Sequence, residues 1–329
     1  MDSDDLQDSY DVIVIGGGAA GLNGALMLAR SRRSVVVLDS GEPRNAPATG
    51  IHGLLGHDGL PPAELLARGR REVRAYGGSV VAGTVTGARQ TTDGFVVRLD
   101  GGRSVSGRRL LVATGLVDEV PAVAGLAERW GRDVIHCPYC HGWEVRNQAI
   151  GVLASGAMAT HQALLFRQLS EDVVVFAHAT ELNAQERARL TARGIVVVDG
   201  QVSALQIDDD MITGVVLTDG TVVARAVVTV QSRMVARAGF LTDLGLDPIE
   251  HPMGVGSYVA TDPTGLTTTA GVYAAGNVTD LSAQVGAAAA AGALAGARIN
   301  ADLVEEETAE ALANSVAATD VSTSPALAH

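Results

Sequence analysis

Short apolar runs alternate with helix-like segments along most of the chain. Apolar runs cover residues 10–15, 34–38, 110–115 and 173–176, whereas residues 61–76 carry apolar positions at the spacing of an amphipathic helix. Strands that are apolar on both faces are typical of parallel sheets covered by helices on each side. The pattern therefore predicts an α/β fold with two doubly wound, dinucleotide-binding-like units.

The first apolar run leads directly into a glycine motif. Gly16, Gly18 and Gly21 have the spacing G-x-G-x-x-G, and the next apolar run ends in Asp39. In a dinucleotide-binding unit the first glycine permits a tight turn, the second admits the pyrophosphate to the backbone amides, and the third lets helix and strand pack closely. An acid at the position of Asp39 accepts hydrogen bonds from ribose hydroxyls. The sequence predicts a dinucleotide site here; the alternative is a glycine-rich turn of an unrelated α/β fold.

A second unit of similar outline begins near residue 149. Its first strand leads into residues 154–159, where Ala154 takes the place of the first glycine of the motif. The next strand, 173–176, is followed neither by an acid for a ribose nor by arginines for a 2′-phosphate. The pattern predicts a nicotinamide-type unit without its ligand chemistry; the alternative is a nucleotide site with atypical contacts.

Two further regions belong with the first unit. Turn-forming residues dominate 42–59, and such a loop can wrap a cofactor. His52 and His57 in this loop could reach a flavin or a substrate, although a histidine in a glycine-rich loop more often makes ordinary hydrogen bonds. Near the other end of the chain, residues 267–280 predict a strand and a small-residue turn.

An alanine-rich stretch from Gln284 to Asn300 predicts a helix. Its small side chains allow close approach to a flat group, and its N-terminus could hold the anionic end of a reduced flavin. The alternative is tight helix packing that needs no ligand. From Glu305 onward, acidic residues among Ala, Ser and Thr predict a flexible, partly disordered tail.

The two cysteines of the chain form a C-x-x-C pair, Cys137 and Cys140, between His136 and His141. Two intervening residues let the sulfurs meet across one turn at a helix start, where the helix dipole favours a thiolate. A protein that keeps cysteines only in this arrangement is predicted to use them as a redox couple. The alternatives are half a zinc site, which would need two more ligands, and a buried thiol pair. We expect no metal site.

Composition narrows the class of protein further. The 329 residues are 47% hydrophobic and carry a formal net charge of −13, without any lysine. No basic stripe is present that could neutralise phosphates, so a nucleic-acid partner is not expected. No run resembles a membrane span, and the acidic residues 1–9 lack the features of a secretory signal. We therefore expect a cytoplasmic protein without membrane contact.

Over about residues 10–300 the chain resembles the low-molecular-weight thioredoxin reductase family. The resemblance rests on the glycine motif with Asp39, on residues 113–115, on the C-x-x-C pair, and on residues 274–280 with Gln284. Within that family, the sequence HCPYCHGWE at 136–144 and the loop at 42–45 are more similar to flavin-dependent dithiol oxidases typified by the gliotoxin and holomycin enzymes. Those enzymes share the fold of the reductases but close a disulfide in a small dithiol. The resemblance implies FAD as cofactor, NADPH not used, molecular oxygen as electron acceptor, and a homodimer.

The resemblance also implies a domain plan and a set of site residues. Residues 1–116 and 246–329 would form the FAD domain, and residues 117–245 would form an inserted unit of NAD(P)-domain type that carries the C-x-x-C pair. The residues implied to bind FAD are Gly16, Gly18, Ala19, Ala20, Gly21, Asp39, Ser40, Arg44, Asn45, His52, Ala113, Thr114, Gly115, Gly276, Asn277, Gln284 and Val285. Asn277 departs from the family, most members of which have an aspartate there, but an amide can still form hydrogen bonds.

The implied reaction is a thiol relay. Cys137 would face the substrate and Cys140 the flavin. His141 takes the place of an aspartate of the reductases and is the first candidate for a general base, with His136 as the second. Two other interpretations stay open: a disulfide reductase supplied by NADPH or a protein electron donor, and a flavin-binding sensor or scaffold without turnover.

Overall fold

The structure, a computed structural model, describes residues 6–322, with side chains described as far as residue 315. The first part of the chain forms, in order, β1 (Ser9–Ile15), α1 (Ala19–Arg30), β2 (Val35–Asp39), α2 (Pro62–Ala75), β3 (Ser79–Ala82), β4 (Val85–Thr91), β5 (Gly94–Leu99), a 3-10 helix (Asp100–Gly102), β6 (Ser104–Val112) and β7 (Leu116–Glu119). The central apolar run of β1 is buried on both faces, which is why it forms an interior strand.

The middle of the chain forms a second set of elements. These are β8 (Val134–Ile135), α3 (Pro138–His141), β9 (Ile150–Leu153), α4 (Ala159–Phe166), β10 (Val173–Phe176), α5 (Ala184–Ala192), β11 (Val196–Val198), β12 (Val202–Asp208), β13 (Met211–Leu217), β14 (Val222–Ala224) and β15 (Val227–Val230). The last part forms β16 (Arg233–Ala236), a 3-10 helix (Gly239–Leu244), β17 (Ile249–Glu250), β18 (Gly256–Tyr258), β19 (Val272–Ala274), a 3-10 helix (Gly276–Val278) and α6 (Val285–Ser322).

The two units repeat one architecture. In the first, β3, β2, β1, β6 and β19 are parallel neighbours in that order, and the hairpin β4–β5 pairs with the first half of β6. In the second, β11, β10, β9, β15 and β8 are parallel neighbours, and β12, β13 and β14 form a separate antiparallel sheet. The predicted fold class, α/β with two doubly wound dinucleotide-binding-like units, is confirmed.

A small sheet connects the two units. Strand β7 leaves the first unit and β16 returns to it, and the two pair antiparallel in a four-stranded sheet with β18 and β17. The 3-10 helix that follows buries Leu241 and Leu244 in the core of the first unit. Residues 233–244 were assigned by the sequence to the inserted unit, but they pair and pack with the first unit, while the second parallel sheet spans residues 134–230. Strand pairing across the chain sets this border, and local hydrophobicity does not report it.

Helix α6 is longer than the sequence predicts. The predicted disordered tail beginning at Glu305 is wrong as far as Ser322, because α6 continues to that residue; residues 323–329 lie outside the described chain. Leu303 is fully buried, and Glu307 forms an ion pair with Arg33 at 2.5 Å. Hydrogen bonds from Arg33 and Arg108 lower the pKa of Glu307 to about 2. These contacts fix the helix on the first unit.

Close packing against α1 explains the small residues of α6. A Cβ atom on Gly292 would lie 1.9 Å from the carbonyl oxygen of Ala20, and one on Gly296 would lie 2.6 Å from that of Gly24. The helices can approach this closely only because neither position carries a side chain. For this part of α6, tight helix packing is therefore sufficient as an explanation. Over residues 6–322, no helix combines the length and apolar content that crossing a membrane requires.

Candidate active site

A cavity of about 1400 Å³ lies between the carboxyl ends of the first parallel strands and the segment with the cysteines. The residues expected from the sequence that line it are Gly16, Gly18, Ala19, Ala20, Asp39, Ser40, Arg44, Asn45, His52, Ala113, Thr114, Gly115, His136, Cys137, Cys140, His141, Gly276, Asn277, Gln284 and Val285. Gly21 does not line it. A Cβ on Gly21 would lie 1.9 Å from the carbonyl oxygen of Gly16, so this glycine serves helix–strand packing, and its assignment to cofactor contact is corrected.

The N-terminus of α1 forms one end of the cavity. Gly18 has φ −78° and ψ −172°, an extended conformation open to any residue, and a Cβ built there would have no atom within 4 Å. The protein fold itself therefore does not require glycine at this position. The free space, the backbone amides of the first turn and the positive end of the helix dipole fit the pyrophosphate of a dinucleotide. Gly16, by contrast, has φ +106° and lies against the backbone of Ala113, so the turn itself requires it.

Asp39 stands at the end of β2 beside this turn. Its carboxylate accepts a hydrogen bond from the amide of Gly17 at 3.2 Å and from Arg70 at 2.9 Å. The two contacts hold the carboxylate at the edge of the cavity, about where the ribose of a bound dinucleotide is held in such folds. Arg70 was missed by the sequence analysis because it lies in α2, thirty-one positions further along the chain.

The loop after β2 is fixed to the connecting strands by an ion pair. Arg44 donates two hydrogen bonds to Asp118, at 2.6 and 2.8 Å, and the hydroxyl of Ser232 donates a third at 2.6 Å. Burial by itself would raise the pKa of Asp118, but the hydrogen bonds from Arg44 and Ser232 outweigh it and lower that pKa. Arg44 thus lines the cavity while its guanidinium is engaged by protein. Asp118 and Ser232 are not among the site residues that the sequence predicts.

The start of α6 closes another side of the cavity with Gln284 and Val285. Asn277 supports it: its side-chain amide donates to the backbone carbonyls of Asp280 at 3.0 Å and Ala283 at 2.9 Å. An aspartate could not donate these hydrogen bonds. The amide therefore has a structural task in this chain, whether or not it also contacts a cofactor.

Cys137 and Cys140 form a disulfide at the cavity wall, with Cα atoms 5.3 Å apart. Cys137 caps the four-residue helix α3, and Pro138 occupies its first turn as predicted. His136 hydrogen-bonds through Nδ1 to the carbonyl of Val230 at 3.2 Å, which requires that Nδ1 carry the proton. Burial is the main cause that lowers the pKa of His136.

His141 follows Cys140 and lines the cavity, and its imidazole has no hydrogen-bond partner among the described residues, although its backbone amide donates to the carbonyl of Cys137. Burial lowers its pKa, the nearby carboxylate of Glu144 opposes that effect, and His52 and His136 add to it. The imidazole is therefore mainly neutral at pH 7 and has a ring nitrogen free to accept a proton. His52 lies close to Glu144, with 3.4 Å between Nε2 and Oε1. His57 is exposed and does not line the cavity.

The corresponding turn of the second unit is arranged differently. Ala154 is fully buried, and its carbonyl accepts a hydrogen bond from Thr180. Beside the following turn, the side-chain oxygen of Gln231 lies 3.5 Å from where a Cβ of Gly156 would be, and this oxygen is buried without a hydrogen-bond partner among the described residues. An acceptor oxygen therefore occupies the neighbourhood in which a dinucleotide-binding unit places phosphate.

Two further groups add to this difference. Thr160, in the first turn of α4, hydrogen-bonds to the carboxylate of Glu186 at 3.4 Å, so a negative charge lies beside that helix end. His178, after β10, has φ 47°, and its Nδ1 accepts the backbone amide of Val202 at 3.1 Å. Ala177 stands at the position that corresponds to Asp39, because the amide of Ala154 donates to the carbonyl of Phe176 as the amide of Gly16 donates to that of Leu38. No acid is therefore present there for a ribose. In the described part of the chain, no group of three or more His, Cys, Asp or Glu side chains is arranged to hold a metal ion.

The fold and the cavity define a class of protein: a two-unit protein of the dinucleotide-binding type with a disulfide in the wall of its main cavity. The model of the family "Pyridine nucleotide-disulphide oxidoreductase" matches residues 10–293, and the chain belongs to this family. It is a flavin-dependent thiol/disulfide oxidoreductase of the thioredoxin-reductase-like type, and the family implies FAD as the cofactor.

Individual relatives agree with this assignment. The chain is 32% identical to thioredoxin reductase tcpT of Claviceps purpurea (strain 20.1), covering 81% of this chain and 86% of that protein. It is 30% identical to thioredoxin reductase sirT of Leptosphaeria maculans, covering 88% and 93%. Among solved structures, that of HlmI superposes with a TM-score of 0.89 at 45% identity, covering 95% of this chain and 98% of that one.

Proposed function

We propose that this protein is a FAD-dependent dithiol oxidase that closes a disulfide in a small dithiol and passes the electrons to oxygen, which yields hydrogen peroxide. The observation that carries the proposal is the contrast between the two units. The first has an open helix N-terminus at Gly18 and an acid at Asp39, whereas the second has Gln231 and Glu186 near its turn and Ala177 at the position that corresponds to Asp39. Electrons would then enter through the cysteines and not through NADPH.

The thiol chemistry follows from the disulfide. A substrate thiolate attacks Sγ of Cys137, the bond between Cys137 and Cys140 breaks, and Cys140 leaves as a thiolate. The second substrate thiolate attacks the substrate sulfur of the mixed disulfide, which releases Cys137 and completes the substrate disulfide. Two electrons have moved from the substrate to the cysteine pair. FAD, held at the helix end of Gly18 and by Asp39, would supply the two-electron acceptor that lets the cysteine disulfide re-form, with oxygen as the final acceptor.

Proton removal is the part for which the chain supplies a base. A free thiol has a pKa near 8.5, so both substrate thiols are mainly protonated at neutral pH. His141 lies next to Cys140, is mainly neutral because burial lowers its pKa, and has an unengaged ring nitrogen. His136 is the weaker candidate, since its Nδ1 is hydrogen-bonded to Val230. We assign the base to His141.

The alternative function is a disulfide reductase supplied by NADPH or a protein electron donor. Its support is the description of the family and of relatives such as tcpT and sirT as thioredoxin reductases. The homodimer implied by the resemblance stays a prediction, which light scattering on the purified protein tests.

Anaerobic flavin spectroscopy separates the two functions. Dithiothreitol, as a small dithiol, should bleach the flavin of the purified holoprotein, and admission of air should restore it with release of hydrogen peroxide. NADPH at millimolar concentration should bleach it only slowly. Fast, stoichiometric reduction by NADPH would overturn the oxidase and establish the reductase. A flavin that dithiothreitol reduces without oxygen uptake would instead indicate a sensor without turnover.

Variants test the relay. Cys137→Ser and Cys140→Ser should each abolish dithiol turnover while retaining FAD, because the relay needs both sulfurs. His141→Ala should lower the rate by about a hundredfold near pH 7 and recover in part above the thiol pKa, where bulk deprotonation replaces the base. A single cysteine variant with normal turnover would exclude the relay.

A further inference from the structure

A chain of polar side chains leads from the neighbourhood of His141 to solvent. Glu144 lies three residues after His141 and is 39% exposed. Its Oε1 is 3.4 Å from Nε2 of His52, and Nδ1 of His52 is 3.4 Å from the carboxylate of Asp58, which is 69% exposed. The amide of Gly53 donates to Asp58 at 3.0 Å and fixes its position. Both ring nitrogens of His52 therefore face a carboxylate.

The row of side chains formed by Glu144, His52 and Asp58 connects two segments that are distant in sequence. His52 and Asp58 belong to the loop after β2 in the first unit, whereas Glu144 belongs to the segment that carries the cysteines. Apart from Glu144, the titratable groups that change the pKa of His141 are His52 and His136, and neither of them can carry a negative charge. Arg44 and Asp118 act on His136 but pair with each other. Glu144 is thus the carboxylate placed to stabilise a positive charge on His141.

The chemistry gives such a path a use. Each turnover of the proposed oxidase removes two protons from the substrate thiols, and a half-buried base must lose each proton before it can accept another. Burial disfavours the imidazolium form of His141, so a nearby carboxylate assists the first transfer. Hydrogen bonds of catalytic groups are often long before the substrate binds, so separations of 3.4 Å are compatible with proton transfer.

We propose that Glu144, His52 and Asp58 form the route by which protons taken up by His141 leave the cavity, with Glu144 and His52 as positioning residues for the thiol chemistry. This inference rests on the proposed function. The proton moves from a substrate sulfur to His141 and then to the carboxylate of Glu144. Glu144 gives it to Nε2 of His52 while Nδ1 of His52 releases its own proton to Asp58 and water. No electrons move in these steps.

The first test measures the titration midpoint of the His141 imidazole. Proton NMR titration of the histidine Cε1–H signals, assigned with His141→Ala, should show the midpoint of His141 falling by about half a pH unit or more in Glu144→Gln, because the charge of Glu144 favours the charged ring. The pH midpoint of anaerobic flavin reduction by dithiothreitol should shift in the same direction. FAD content and thermal stability should stay as in the unmodified protein. An unchanged His141 midpoint would overturn the role of Glu144.

The second test asks whether His52 transfers protons. His52→Ala should lower the rate of dithiothreitol oxidation by about tenfold or more at pH 7, and added imidazole should restore part of it, because a small base can replace a missing relay group. The unmodified protein should not respond to imidazole. His57→Ala is the matched control: it alters an exposed histidine of the same loop outside the cavity and should leave both rate and imidazole response unchanged. A His52→Ala variant with a low rate that imidazole does not raise would overturn the relay.

Different results would exclude the proposed function and the proton relay. If dithiothreitol does not reduce the flavin of the unmodified protein, the proposed function fails and the relay fails with it. If reduction is normal but Glu144→Gln and His52→Ala keep both the pH profile and the rate, only the relay fails. The NMR titration needs no turnover and reports the electrostatic part of the inference in either case.

Discussion

The two units of this protein share a topology and differ at the places where a dinucleotide would be held. Each unit contains a parallel sheet in which two neighbouring strands are joined by a helix: β1-α1-β2 in the first unit and β9-α4-β10 in the second. At the first helix end, Gly18 leaves open space; at the second, Gln231 and Glu186 place oxygen acceptors near the turn. Ligand capacity therefore depends on a few side chains at the helix ends, and topology alone does not determine it.

The largest expected effect comes from blocking the first helix end. Gly18→Val should weaken FAD binding by about a hundredfold or more, because the side chain would occupy the space beside the amides, and losing two charge-assisted hydrogen bonds of about 1.5 kcal/mol each corresponds to that factor. Titration of the apoprotein with FAD, followed by flavin fluorescence, measures it.

Gly156→Val in the second unit is the matched change. A Cβ there meets only the end of the Gln231 side chain at 3.5 Å, so FAD affinity should stay as in the unmodified protein. Equal losses in both variants, or none in Gly18→Val, would contradict the assignment of the cofactor to the first unit.

The second effect concerns the helix pair of the first unit. Gly292→Ala should destabilise the protein by about 1–3 kcal/mol, because its Cβ would lie 1.9 Å from a backbone oxygen of α1 that cannot rotate away. In Gly286→Ala, near the start of the same helix, the Cβ would meet only Leu54 at an ordinary 3.4 Å, and stability should hold or rise slightly. Urea unfolding of the two variants compares them; equal midpoints would show that α1 and α6 can separate without cost.

A smaller effect is expected at the end of β2. Asp39→Ala should weaken FAD binding by about tenfold, which corresponds to about 1.4 kcal/mol for the lost contacts to a ribose. The reverse change in the second unit, Ala177→Asp, supplies an acid at the position that corresponds to Asp39. It should not produce fast reduction by NADPH, because Gln231 and Glu186 remain. Fast reduction of the flavin by NADPH in this variant would show that a single residue accounts for the difference between the two units.

The smallest effect is a pH dependence at the junction of the two units. Burial lowers the pKa of His136 in the folded protein, so the unfolded chain, with a histidine pKa of about 6.5, takes up this proton more readily. Stability should therefore fall as the pH decreases below about 6.5, until the lowered pKa of the folded state is passed. His136→Asn should reduce this fall between pH 7.5 and 5.5, measured as the shift of the urea midpoint. An identical pH dependence would show that His136 does not contribute.

The local sequence pattern was sufficient to predict much of the first unit and the position of the cysteine pair at a helix start. The glycine spacing and Asp39 lie within one strand–helix–strand stretch, and the structure places Gly18 and Asp39 on one cavity. Helix α2 and strand β10 were also predicted within a residue or two, since hydrophobic period is a property of neighbouring residues. Gly21 packs helix against strand, as the motif indicates for its third glycine, so only its inclusion among the residues in contact with FAD needs correction.

The sequence by itself determined the α/β class, the pairing of the two cysteines and the family to which the chain belongs, because each depends on residues close together in the chain. Tertiary structure alone decided the length of α6, the return of residues 233–244 to the first unit, and the approach of His52 to Glu144. Each of these rests on contacts between distant segments, as in the ion pair that joins Arg33 to Glu307 across 274 positions. Such contacts form only when the whole chain has folded, since local periodicity carries no information about which distant charge a side chain will meet.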